Sequence, residues 1–179
     1  MKTIGMIGMM VLTLSLLVPS AALCQDQTAV VATAASDYTS GAHAVISVDP
    51  IGGPRTAQTQ LLPTISDITV DAYGEFFYRL ERTGVASSHN VTKFAVDAPD
   101  TVVWQYSTEG SETGSNPYGL IFVSDTKAYL LRYGSDTAWI VDPSTTTEAG
   151  FKTGELDLSA YADSDGIPEM SGGVLVGDK

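Results

Sequence analysis

The chain has 179 residues, with 9 Lys and Arg against 21 Asp and Glu, and a formal net charge of −12. So acidic a balance excludes a nucleic-acid binder, because phosphate partners demand a basic surface. The single cysteine, Cys24, excludes an intramolecular disulfide, so the fold must rest on its core.

Residues 1–24 read as a secretory signal. Lys2 supplies the positive start, residues 4–18 the apolar run, and Ser20-Ala21-Ala22-Leu23-Cys24 the small-residue end, with cleavage fitting after Ala22 or Cys24. That run is shorter than the roughly 20 residues that span a bilayer, so no transmembrane span is expected in the mature chain. Leu23 stands where a lipid-attachment box takes Gly or Ala, which disfavours a lipoprotein anchored through Cys24. The expected location is periplasmic or extracellular.

From residue 25 onward the pattern is strand and turn: β-branched and aromatic runs bounded by Gly, Asp, Ser and Pro. Residues 28–61 give three strands (28–35, 43–49 and 56–61), with loops at 37–41 and 50–54. Residues 66–108 give four (68–71, 75–82, 91–97 and 101–108). A Gly/Ser/Glu loop, 109–116, follows. Residues 117–159 give four more (120–123, 128–132, 138–141 and near 154–158). Residues 167–179 open a further unit with a strand at 174–176.

These strands repeat. Val70, Val123 and Val176 close equivalent strands and lie 53 positions apart. In the same register Phe76, Phe77 and Arg79 match Tyr129, Leu130 and Arg132. The third strands align as Ile46-Ser47-Val48-Asp49-Pro50, Phe94-Ala95-Val96-Asp97 and Trp139-Ile140-Val141-Asp142-Pro143. A repeat of about 40–50 residues built from short strands points to propeller blades. The expected fold is all-β, a partial β-propeller of four-stranded antiparallel blades after the signal peptide. In this register the 28–61 blade lacks its first strand. Propellers use about 4–8 blades, so the chain reads as the N-terminal part of a longer one.

Residues 128–146, AYLLRYGSDTAWIVDPSTT, resemble the YVTN-type β-propeller repeat, which is WD40-like, of bacterial extracytoplasmic proteins. That family places a Tyr-initiated strand, a Gly-Ser turn, and a strand ending in Ile/Val-Asp before a Thr-rich turn. Leu130-Leu131-Arg132 departs from it where Val-Thr-Asn is usual. The resemblance implies a fold; one fold hosts many functions.

For chemistry, the sharpest motif is Asp163-Ser164-Asp165-Gly166-Ile167-Pro168-Glu169. Alternating carboxylates before a Gly can supply oxygen ligands to calcium, so Asp163, Asp165 and Glu169 are candidate ligands, with Asp157 a further one. The competing reading is a polar turn, which favours the same residues. His43 and His89 fall in different blades, and no Gly-x-Ser-x-Gly elbow or phosphate-binding Gly loop is present. His43 reads as a satisfied residue and His89 as a pH-sensitive contact at most. Arg79 and Arg132 read either as a ring of positive charge for an anion or as strand-end residues paired with turn carboxylates such as Asp71 or Asp125. The second reading is favoured. Trp104, Trp139 and Phe76-Phe77-Tyr78 read as packing between sheets, and Asn90-Val91-Thr92 is formally a glycosylation sequon. The leading expectation is an exported, non-catalytic propeller that binds a protein or small molecule. The alternatives are an enzyme or redox propeller of lactonase-like type, and a calcium-stabilised surface or structural protein.

Overall fold

The computed structural model describes residues 27–48, 55–82 and 89–177. Residues 1–26, with the expected signal segment and Cys24, residues 49–54 and residues 83–88 lie outside the described residues. Among the described residues, eleven strands form three antiparallel sheets, stacked as the consecutive blades of an all-β, partial propeller-like fold. Sheet 1 holds β1 (Thr28–Ala34), β2 (Gly41–Ser47) and β3 (Ala57–Thr64). Sheet 2 holds β4 (Ile68–Tyr73), β5 (Phe76–Glu81), β6 (Asn90–Ala95) and β7 (Ala98–Ser107). Sheet 3 holds β8 (Pro117–Ser124), β9 (Lys127–Arg132), β10 (Thr137–Val141) and β11 (Lys152–Asp157). In every sheet the strands follow chain order, so each pairs with its predecessor.

Side-chain alternation explains the stacking, since successive residues of a strand face opposite sides of its sheet. On β5, Phe77 joins Val45 and Phe94 in the core between sheets 1 and 2. Its neighbours Tyr78 and Leu80 join the core between sheets 2 and 3. The central sheet is therefore apolar on both sides. The second core is larger and more aromatic, with Trp104, Tyr106, Leu120, Leu130, Trp139, Val141 and Phe151 buried in it. Trp104 and Tyr106 stack with centroids 4.4 Å apart, and Phe151 closes over both. Both tryptophans thus pack between sheets, as expected. Asp71 ties the first strands together, its Oδ2 accepting from the Leu120 N–H at 2.7 Å across β4 and β8.

Two arrangements differ from the expectation. β1 lies along β4, as β4 lies along β8, and β3 meets β7 at the other side. The three strands of sheet 1 thus span the breadth of its four-stranded neighbour, and the first-strand side is occupied by β1. Residues 174–176 form no strand; the 162–176 segment is irregular, and Gly173 lies against Ile121 and Leu131 on the outer face of sheet 3. Among the described residues no helix is long and apolar enough to cross a membrane.

Candidate functional site

A cleft of about 910 Å³ opens between sheets 1 and 2. Two hairpin turns shape one wall. Gly74 adopts φ +61 in the two-residue turn from β4 to β5, a left-handed conformation that glycine tolerates without strain. Val96 and Asp97 make the turn from β6 to β7. Thr28, the first residue of β1, and Val48, which follows β2, form the opposite wall. The interior is apolar and partly exposed, and Glu75 and Asp97 stand exposed at the rim.

Among the buried polar side chains are two networks, each centred on an arginine; buried Lys93 lies outside both and donates to the Pro143 carbonyl at 2.9 Å. Arg79 lies on β5 with its side chain 6% exposed. It donates to Glu81 Oε1 at 2.9 Å and to the Leu62 carbonyl at 2.7 Å. Its Nη1 also lies 3.2 Å from Nδ1 of His43. His43 is fully buried between the Phe77 and Phe94 rings, and its Nε2 lies 2.7 Å from the Pro99 carbonyl. Nδ1 must accept from the guanidinium, so Nε2 carries the proton and donates to Pro99. Burial pushes the His43 imidazole below its ordinary pKa, and nearby Arg79 pushes it the same way. Burial also lowers Arg79, an effect that Glu81 opposes.

Arg132 occupies the matching place on β9 and is wholly buried. Its guanidinium lies 4.3 Å from the Trp139 ring centroid. Nε donates to the Thr108 carbonyl at 3.0 Å, and Nη1 to Ser135 Oγ at 2.9 Å and Thr137 Oγ1 at 3.0 Å. Nη2 pairs with Glu112, which is carried by the 109–116 loop. The Arg132 hydrogen bond is the leading cause that holds the Glu112 carboxyl at about 2, well below its ordinary range.

Arg79 and Arg132 are therefore each paired with a carboxylate of the chain, Glu81 and Glu112 respectively, rather than Asp71 or Asp125. Asp71 is engaged by Leu120, and Asp125 sits in the β8–β9 turn. Glu81 was legible, since a residue two positions along a strand shares its face. Nothing local in the sequence links Glu112 to Arg132.

The acidic motif folds as successive turns. Asp163 Oδ1 accepts from the Asp165 N–H at 3.0 Å, and Asp165 Oδ1 from the Ile167 N–H at 2.8 Å. Each carboxylate thus serves its own backbone. Glu169 instead faces Tyr133, whose hydroxyl it pushes up in pKa through its charge. Asp157 accepts from the Ser159 N–H at 2.9 Å. Among the described residues, no three His, Cys, Asp or Glu side chains converge as metal ligands.

His89, with φ +64, anchors the base of the 109–116 loop: its Nδ1 accepts from the Asn116 N–H at 3.0 Å, and Nε2 lies 3.7 Å from Glu109. Neither histidine meets a hydroxyl nucleophile among the described residues. Asn90 of the sequon lies within β6, paired in register with both Glu81 and Ser107. No protein-family model matches the chain, and no curated protein matches it either.

Proposed function

We propose that the protein is an exported binding module, a non-catalytic propeller of the YVTN-like type that takes a ligand in the cleft between its first two sheets. The ligand class is an apolar body carrying a cationic group. The observation that carries this reading is the cleft itself, where Val48 and Val96 supply apolar surface beneath the Glu75 and Asp97 carboxylates. Concave apolar sites with a few placed polar groups are the usual form of a small-molecule site. The engagement of both histidines supports a non-catalytic role. Export is supported by Lys2 and the apolar run behind it.

Titration of the protein with phenethylamine, followed by backbone amide NMR, tests the reading, with phenylacetate as a control of similar shape and opposite charge. Shifts gathered at Thr28, Val48, Phe76 and Val96 with the amine alone are expected. Glu75→Gln with Asp97→Asn should weaken them. Equal response to both probes, or none in the cleft, would overturn it. N-terminal sequencing of the exported product checks cleavage after Ala22 or Cys24.

A further inference from the structure

Arg132 is enclosed on every side but one, and that side is closed by a residue the sheet does not own. Arg132 Nη2 and Ser135 Oγ both approach the same oxygen, Glu112 Oε1, the serine at 3.3 Å. The second carboxylate oxygen accepts from Ser111 Oγ at 3.2 Å. The donors are rigid: Arg132 is 0% exposed and held by Thr108, Thr137 and the Trp139 ring, and Ser135 is 2% exposed. The occupant is not. The Glu112 side chain is 43% exposed, on a loop with Gly110 near one end and Gly114, at φ +84, near the other. A cleft of about 480 Å³ opens beside it, lined by Gly110, Ser111, Glu112, Thr137 and Lys152 among others.

We propose that Arg132 and Ser135 form a carboxylate-binding site, filled at rest by Glu112 of the 109–116 loop and taken over by the carboxylate of a small ligand when that loop lifts. Only one guanidinium nitrogen and one hydroxyl face the occupant. Asp136 and Glu155 also line the cleft, so a dianion such as phosphate meets repulsion while a monocarboxylate is accommodated. Lys152, whose ammonium lies 4.7 Å from the Trp139 ring centroid, offers a second cation at the entrance. Its present partner is Glu155, at 2.6 Å. The tethered Glu112 competes at an effective concentration on the order of millimolar, so exchange is weak in the wild type and strong once Glu112 is removed. This site is separate from the cleft between the first two sheets and opens beside sheet 3.

The test is thermal unfolding of Glu112→Ala in sodium acetate against sodium chloride at equal ionic strength. Acetate should raise the melting temperature of Glu112→Ala by several degrees. In the wild type it should act in the same direction at about tenfold higher concentration. Adding Ser135→Ala to Glu112→Ala should weaken the response about tenfold. Acetate and chloride acting alike on Glu112→Ala, or a response indifferent to Ser135→Ala, would overturn the site. A wild type silent at that higher concentration would overturn the exchange. Should Glu112→Ala not fold, Glu112→Gln keeps an acceptor on the loop. Acetate-induced NMR shifts of the Arg132 Nε and Trp139 indole signals are then expected, and their absence would overturn the proposal.

Discussion

Sheets 2 and 3 bury an arginine at the same point of their second strands, and they neutralise it by different routes. In sheet 2 the counter-charge is Glu81, two residues beyond Arg79 on the same strand face. In sheet 3 the residue two beyond Arg132 is Gly134. A Cβ at Gly134 would collide with the Gly114 carbonyl oxygen, so the missing side chain is the space in which the 109–116 loop sits. The loop in turn delivers Glu112. The buried charge is the constant, and its partner has moved from the scaffold to a surface loop. One network is therefore a fixed part of the fold, and the other can open.

The largest expected effect falls on the fixed network. Glu81→Ala leaves a buried guanidinium without its carboxylate, and Thr64 Oγ1 also loses its bond to Glu81. Removing one partner of a buried pair costs about 3–5 kcal/mol, to be read from urea unfolding. A loss no larger than that of Glu112→Ala would break the comparison.

Glu112→Ala should cost about 2 kcal/mol at neutral pH, because Arg132 keeps its four other hydrogen bonds and water can reach the vacated position. The Glu112 carboxyl is lowered from 4.5 to about 2 in the folded protein. Its contribution is therefore complete above pH 4.5 and fades as pH falls towards 2. The gap between wild type and variant, followed by unfolding at stepped pH, should close over that window. Gly134→Ala attacks the same contact from below by displacing the loop. Combined with Glu112→Ala it should cost less than the two separate losses together, by at least about 0.5 kcal/mol.

How much of this was legible follows from where each partner lies along the chain. Strand order and the two inter-sheet cores were legible because the 53-residue repeat fixes which strands correspond, and Phe76-Phe77-Tyr78 divides between two faces by simple alternation. Glu81 was legible by the same alternation. Asp71 misled because it stands beside Arg79 in sequence register, while its carboxylate is used across the sheet boundary by Leu120. Glu112 was not legible, since no periodicity links a loop residue to a strand twenty positions on. The calcium expectation at Asp163 and Asp165 rests on residue types that Asx turns use as well, and the hydrogen bonds of those turns cannot be read from composition. The cleft between sheets 1 and 2 arises from turns far apart in sequence, Gly74-Glu75 and Val96-Asp97, which only the stacked fold places side by side.

A smaller effect concerns pH at the fixed network. His43 sits neutral against Arg79, with its pKa below the ordinary 6.5. The unfolded chain takes up a proton there that the folded one resists, so stability is complete above about pH 6.5 and declines as pH falls below it. His43→Gln keeps a donor for the Pro99 carbonyl and removes the titration. Between about pH 6.5 and 5 its stability should fall less steeply than the wild type's, a difference bounded by about 1.4 kcal/mol per pH unit. Parallel slopes would show that His43 is not the sensitive group. Glu112 titrates in a lower range, so the two networks separate along the pH axis.

The smallest effect should come from Asp163→Asn. Asp163, like Glu112, is a carboxylate on a surface loop, so exposure alone would rank the two together. Their partners separate them. Asp163 Oδ1 accepts only from the Asp165 backbone N–H, which an Asn side-chain oxygen serves equally well. Glu112 meets a guanidinium that has no access to water of its own. The expected change for Asp163→Asn is within about 0.5 kcal/mol of wild type by urea unfolding. A loss comparable to that of Glu112→Ala would mean that the 163–169 turns bear on the packing of sheet 3, where Glu169 faces Tyr133 and Gly173 rests on Ile121. In that case the outer face of the sheet, rather than the arginine beneath it, would be what the surface loops hold in place.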